Sequence, residues 1–374
     1  MSTCTPSLID STQSYGSLWL HAIAKGGWTE YLLGTNPGQS QSTARWAADL
    51  ANFLLETEAT LVEVDGFGDT ALIAELQQSL ARVLPPGFPA SFMINSGNRG
   101  PHGGGLLVRA VLGVPVSPMR YDGRTIGFQF EDEYAAYCYL GGLVPSVAGL
   151  DGAGQTLAVM TTIKAGLETA GMNFRDVLRT WYYLDGILGW YDDFNRARTA
   201  FFNEHDVFSR LMPASTGIGI ANSSGQLVLA KVHACRAKSA AFAVRVADSP
   251  LQGSAYSYGS AFSRAVEIAT PAGRTLHISG TASIAPSGET EYLDDIDAQI
   301  RRTLEVVEAI LRHAGMDWSH AVRGIAYFNT AAELPLWAEA RTALALPAQV
   351  ELVVHADICR TDLLFELELE AVIS

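Results

Sequence analysis

The residues best placed for chemistry lie at the C-terminal end, in Leu363-Leu364-Phe365-Glu366-Leu367-Glu368-Leu369-Glu370-Ala371-Val372. Apolar and acidic residues alternate there with period two, the pattern of a strand with one apolar face and one carboxylate face. Glu366, Glu368 and Glu370 therefore point the same way, spaced by about 7 Å along the strand. A solvated strand would mix lysines among such acids to limit repulsion. Three like charges in a row, preceded by Cys359-Arg360, predict that at least one carboxyl is held neutral, because burial and like-charge neighbours both raise a carboxyl pKa. Such a group donates a proton at neutral pH. The alternative is an exposed sheet face with no chemical role, as charge runs often are.

Two glycine motifs suggest other chemistry and do not sustain it. Thr60 to Gly66 reads as a strand entering Gly66-Phe67-Gly68-Asp69-Thr70-Ala71, with a helix over Leu72 to Val83, the outline of a dinucleotide-binding turn. Asp69 would repel a pyrophosphate, and Pro85, Pro86 and Pro89 stand where a second strand ending in an acid belongs. His102-Gly103-Gly104-Gly105 has the form of a lipase oxyanion loop, and Ala255-Tyr256-Ser257-Tyr258-Gly259 is close to GxSxG. Ala261 to Ala269 then reads as a strand, so the strand-to-helix elbow is missing. The glycines over 96–105 are expected to form a long loop placed to close over a site.

The elements that must position these residues repeat. Gln155 to Tyr183 and Gln299 to Tyr327 align at a constant offset of 144, matching Ala170-Gly171-Met172 with Ala314-Gly315-Met316, Arg179 with Arg323 and Tyr183 with Tyr327. Ala197-Arg198-Thr199-Ala200 resembles Ala340-Arg341-Thr342-Ala343 at offset 143. A period this long marks a duplicated domain, not a solenoid. Each copy reads as strands, helix, strand, helix, strand, an α+β unit with helices on one face of its sheet. Earlier segments read as strands over Leu18 to Leu33 and a helix over Gln41 to Glu56. Residues 1–15 read as loose, 16–236 as the first unit with an inserted loop, 237–252 as a linker and 253–374 as the second unit. The second copy looks shortened between Leu334 and Pro347. Alternation on the repeated strands puts Arg179, Trp181 and Tyr183 on one face, where an arginine needs an anion or carboxylate to offset its burial.

Composition bounds the function. Of 374 residues 48% are hydrophobic and 17% charged, as in a globular protein. A net charge of −14 argues against nucleic acid or an anionic membrane as partner, so an anionic ligand would need a local basic pocket. Cys4, Cys138, Cys235 and Cys359 show neither CxxC nor metal-ligand spacing, which fits a reducing cytoplasm. The N-terminus lacks the pattern of a signal peptide and no apolar run reaches about 18 residues. A cytoplasmic protein is expected.

Together these residues resemble a known family. Leu276-His277-Ile278-Ser279-Gly280-Thr281-Ala282-Ser283-Ile284, the helix with Gln299, and Leu363-Leu364-Phe365-Glu366 resemble the YjgF-like (Rid, chorismate-mutase-like) fold. The tandem arrangement is similar to the chorismatases, through Arg179-Thr180-Trp181-Tyr182-Tyr183, Trp190 to Asn195, Pro213 to Gly219, Tyr258 to Ala265 and Cys359 to Glu366. The resemblance covers roughly residues 90–374. It implies two tandem YjgF-like domains, the second catalytic, and a cofactor-free, metal-free enzyme acting on chorismate. It places the family's proton-donating glutamate on Glu366. Two substrate carboxylates call for arginine forks, for which the candidates are Arg179, Arg196, Arg264 and Arg360, with Tyr182, Tyr183 and Thr216 as polar wall. The family divides by product, one type yielding a dihydroxycyclohexadiene carboxylate by hydrolysis and another 3-hydroxybenzoate, each with pyruvate. The second type has a cysteine seven residues before the glutamate, as Cys359 is here, so 3-hydroxybenzoate is expected, with Cys359 as a second catalytic residue or else a small buried apolar one. Imine-hydrolysing Rid proteins have an arginine after a Pro-Ala pair, where this chain has Ser215 and Gln349. A divergent or non-catalytic small-carboxylate binder is the competing reading, and both a monomer and a trimer remain open.

Overall fold

The computed structural model describes residues 12–35, 42–95, 103–147 and 149–374. Cys4 and His102 lie outside the described residues. The first sheet comprises β1 (Gln13–Tyr15), β2 (Leu18–Ala24), β3 (Thr29–Thr35), β4 (Thr60–Gly68), β5 (Ser91–Ile94) and β6 (Gly105–Leu112), with helices α1 (Thr43–Thr57) and α2 (Thr70–Leu80). The second comprises β7 (Ser117–Tyr121), β8 (Arg124–Glu131), β9 (Ala135–Leu143), β10 (Val177–Leu184), β11 (Ala214–Ile218) and, after the short β12 (Ala221–Asn222), β13 (Val228–Ala237), with α3 (Gly152–Thr169) and α4 (Tyr191–Glu204). The third comprises β14 (Ala243–Ala247), β15 (Ala265–Thr270), β16 (Gly273–Ala282), β17 (Ala321–Phe328), β18 (Val350–His355) and β19 (Phe365–Ile373), with α5 (Ile296–His313) and α6 (Leu336–Ala343).

All three sheets share one order. The last strand of each inserts between its third and fourth, giving β1-β2-β3-β6-β4-β5, β7-β8-β9-β13-β10-β11 and β14-β15-β16-β19-β17-β18, while β12 extends the first sheet beyond β5. The repeat seen in the sequence is the second and third of these units. The stretch 16–236 thus carries two sheets, and the stretch 237–252 carries β14, which pairs along its length with β15. The register repeats too. A bulge falls after Leu61, Val177 and Ala321, after which Phe67, Tyr183 and Tyr327 stand opposite Gly105, Leu229 and Glu366.

Local signals explain the helices. Asp69, Asp151 and Asp295 each accept a backbone N–H in the first turn of α2, α3 and α5, the cap chemistry of short acidic side chains. Gly171 and Gly315 follow α3 and α5 with φ of 66° and 71°, the left-handed turn that glycine adopts without strain. Ile300, Leu304, Val307 and Leu311 form a buried stripe on α5 that packs on the third sheet. The shortened second copy is visible as α6, 8 residues against the 14 of α4. Gly66-Phe67-Gly68 is no phosphate cradle, since the space beside Gly66 and Gly68 is filled by Leu76, Phe92 and Leu72. No described helix is long and apolar enough to cross a membrane.

The helix-free faces of the three sheets meet in a central core that includes Phe67, Met93, Trp181, Leu229, Ile325 and Leu352. Charges are buried within it in complementary pairs. Lys231 of β13 contacts Asp65 and lies 3.2 Å from Glu63, both on β4, while His233 bonds Glu63 at 2.6 Å. Arg323 of β17 approaches the same two acids at 3.5 and 3.4 Å. Removing one partner of such a set strands an opposite charge in low dielectric. Lys231→Met is therefore expected to destabilise the fold by about 3–5 kcal/mol, read as a lower denaturant midpoint. An unchanged midpoint would contradict this account of the core.

Candidate active site

Strand β19 separates its two faces as its alternation requires. Phe365, Leu367, Leu369 and Ala371 pack on the α5 side, while Glu366, Glu368 and Glu370 turn inward with 5%, 4% and 4% of their surface exposed. The three carboxyls differ in their surroundings. Glu370 accepts from Arg109 at 2.7 Å, and that guanidinium outweighs burial to hold it well below the usual carboxylate range. Glu368 accepts from Arg179 at 3.0 Å, from Trp181 Nε1 at 3.0 Å and from Thr216 Oγ1 at 2.6 Å. Glu366 has no ion-pair partner among the described residues. Burial first, and the neighbouring Glu368 second, push its carboxyl up to about 8, against the opposing pull of Arg179 and Arg264. The neutral carboxylic acid anticipated from the strand is Glu366.

Glu366 opens into a small cavity with a mouth to solvent. The cavity lies on the seam where the second unit meets the third. Ala214 of β11 bridges Ser263, and Gly219 bridges Asp357, so β11 is joined to the segments leading into β15 and β19. Ser215 and Gly217 form one wall, and Ser260, Phe262, Gly280 and Ala282 the other. A bulge in β16 between Ile278 and Thr281 turns Gly280 toward the acid. There a Cβ would stand 1.9 Å from Glu366 Oε1, so glycine is what admits the carboxyl. Thr216 Oγ1 ties the two units together, donating to Glu368 and accepting from Gly280 N at 3.0 Å.

Three arginines line the cavity: Arg198, Arg264 and Arg360. They make a basic pocket inside a chain of net charge −14. Arg264 donates to Gly253 O at 3.1 and 3.0 Å, and Arg360 to Gly288 O at 2.6 Å, contacts that fix their side chains. Arg198 on α4 donates to Asn195 at 2.7 Å and sits 4.8 Å over the Phe194 ring. Cys359 also lines the cavity, and burial pushes its thiol up to about 12. Tyr191 and Ser260 line the cavity beside Cys359.

The residues expected at the site separate into two groups. Glu366, Cys359, Arg264 and Arg360 come together in the cavity. Arg196 lies outside it, in an exposed vestibule with Asp193, its ion-pair partner. Arg179 and Thr216 are behind the wall, bound to Glu368, which makes Arg179 a structural ion pair instead of a ligand for a substrate carboxylate. Tyr182 and Tyr183 do not line the cavity either. Tyr182 faces α4 and stacks edge-on with Phe194, and Tyr183 faces the central core against Phe67. Arg198, Tyr191 and Gly280 were not anticipated. A signal for Arg198 exists, because Phe194, Ala197, Arg198, Phe201 and Phe202 form the one buried stripe of α4, a spacing that puts Arg198 inward and Arg196 outward.

No protein-family model matches the chain, and no curated protein matches it. Among solved structures, a chorismatase crystal structure at 1.08 Å resolution superposes with a TM-score of 0.65 over 96% of this chain and 99% of that one, at 18% identity. The chain has the fold of a chorismatase. Two smaller proteins each match about a third of this chain. Yeast Mmf1 matches over 35% of this chain and 100% of its own at 14% identity and TM-score 0.31. RidA from the Antarctic bacterium Psychrobacter matches over 34% and 99% at 20% identity and TM-score 0.30. Within this chorismatase fold only one of three register-equivalent positions carries an acid, since Glu366 is replaced by Leu229 in the second unit and by Gly105 in the first.

Proposed function

We propose that the chain cleaves the enolpyruvyl ether of chorismate, releasing pyruvate, with Glu366 as general acid. The observation that carries this reading is one buried carboxyl, Glu366, without an ion-pair partner among the described residues, in a cavity also lined by three arginines, and its raised pKa supports the acid role. Protonation of the enol-ether methylene carbon by Glu366 gives an oxocarbenium ion, and the carboxylate left behind stabilises that cation. Arg198, Arg264 and Arg360 supply the cationic donors that the two substrate carboxylates need. Attack of the neighbouring ring hydroxyl on the ring carbon that bears the ether, with loss of the hydroxyl proton, breaks that carbon–oxygen bond and releases pyruvate. Protonated opening of the resulting epoxide and loss of a ring proton leave 3-hydroxybenzoate, and these two products contain all the atoms of chorismate. Attack by water gives the dihydroxycyclohexadiene carboxylate instead.

Cys359 favours the first branch. Its raised pKa keeps it a thiol, which packs against the ring and donates a weak hydrogen bond instead of acting as a thiolate. A buried acid beside arginines in one cavity speaks for an enzyme over a binder that has lost its chemistry. Chromatography of chorismate digests tests the branch. The native protein is expected to form pyruvate and 3-hydroxybenzoate, and Cys359→Ala to keep pyruvate release while diverting the ring product toward the diene diol. An unchanged product ratio would remove Cys359 from the reading.

A further inference from the structure

The cavity poses an electrostatic problem. Arg198, Arg264 and Arg360 line it, and each favours the ionised form of a carboxyl beside it. Around Glu366 stand Arg179 from β10, Tyr327 opposite on β17, Tyr191 and Arg198 from α4, Arg264 ahead of β15, and Cys359 and Arg360 ahead of β19. The tyrosines and the thiol are neutral at pH 7, with burial raising all three. Among the described residues Glu368 is the anion that opposes the arginines. It lies two residues further along the same inward face and is 4% exposed.

The surroundings of Glu368 are built to hold a charge. It accepts from a guanidinium, an indole N–H and a hydroxyl, the acceptor-only role of an ionised carboxylate. Arg179 is itself fixed over the Trp181 ring at 4.6 Å. Thr216 Oγ1 holds both Glu368 and the backbone N of Gly280, the residue against which the Glu366 carboxyl rests. The same hydroxyl therefore sets where both acids sit. We infer that Glu368 is a positioning residue for the acid, a fixed anion behind the cavity wall that keeps the proton on Glu366 between turnovers. This inference rests on the reading of Glu366 as the proton donor, and Glu368 itself touches no substrate.

The test is a direct titration of Glu366 by carboxyl carbon NMR on the full-length protein without substrate, its signal identified by loss in Glu366→Gln. In Glu368→Gln the midpoint is expected to fall by about one pH unit or more, and the alkaline limb of the rate profile to fall with it. Glu368→Gln leaves Arg179 buried without its carboxylate, so the double variant with Arg179→Met is the companion. Removing both charges is expected to lower the midpoint by less than the single change, because Arg179 opposes Glu368. A folded variant of either kind in which Glu366 titrates at the native midpoint would overturn the inference. Because the titration needs no substrate, a native protein that leaves chorismate intact would remove the proposed function while the titration still decides the role of Glu368.

Discussion

Glu366→Gln is expected to slow pyruvate release from chorismate by a factor of roughly 10²–10⁴, the usual range for loss of a general acid, with little change in KM. The side chain keeps its size and loses only the transferable proton. Native kcat/KM is expected to be flat at neutral pH and to fall above about pH 8, where Glu366 ionises, while the residual rate of the variant lacks that limb. The stability change has a definite sign. A carboxyl that ionises near 4.3 when unfolded and near 8 when folded makes the native state bind more protons in between. Its folding contribution is therefore lost as pH rises through that window. Glutamine carries no such penalty, so at pH 7 the variant should unfold at a denaturant midpoint no lower than the native protein. A lower midpoint with lost activity would point to structural damage instead of chemistry.

Gly280→Ala is expected to reduce kcat by about 10²-fold, the order expected when a catalytic group is displaced by about 1 Å, with the fold intact. Its Cβ would sit 1.9 Å from Glu366 Oε1 and 3.3 Å from Thr216 Cγ2. The backbone at Gly280 is not in the left-handed region, so alanine is accepted without strain and the mobile carboxyl is what moves. Steady-state kinetics beside a thermal melt check this. An unchanged kcat would show that Glu366 acts from a different position than the one beside Gly280.

The strands that build the site were legible to different depths. The alternation of β19 identified the inward acids and required at least one of them to be neutral, because period two is imposed by the backbone and needs no partner. Only the family resemblance pointed to Glu366 among the three. The repeat identified β10 and β17, residue for residue, because their Ala-Gly-Met turns and aromatic runs kept the same spacing. The first unit escaped because its charges are inverted, with Glu63 at the register position held by Arg179 and Arg323. Inverted charges complement each other across the centre, and for the same reason leave no sequence similarity. Arg179 and Tyr183 were assigned the correct face of β10, yet a strand pattern does not say whether that face meets a cavity or another sheet. Here it meets Glu368 and Phe67. Tyr182, one residue along, was bound to face the opposite way.

The most direct test of the central claim is pyruvate release from chorismate by the native protein, measured beside Glu366→Gln under identical conditions. One pyruvate is expected for each chorismate consumed by the native protein, with release slowed by roughly 10²–10⁴ in the variant. Equal release by both proteins, or none by the native one, would contradict the claim.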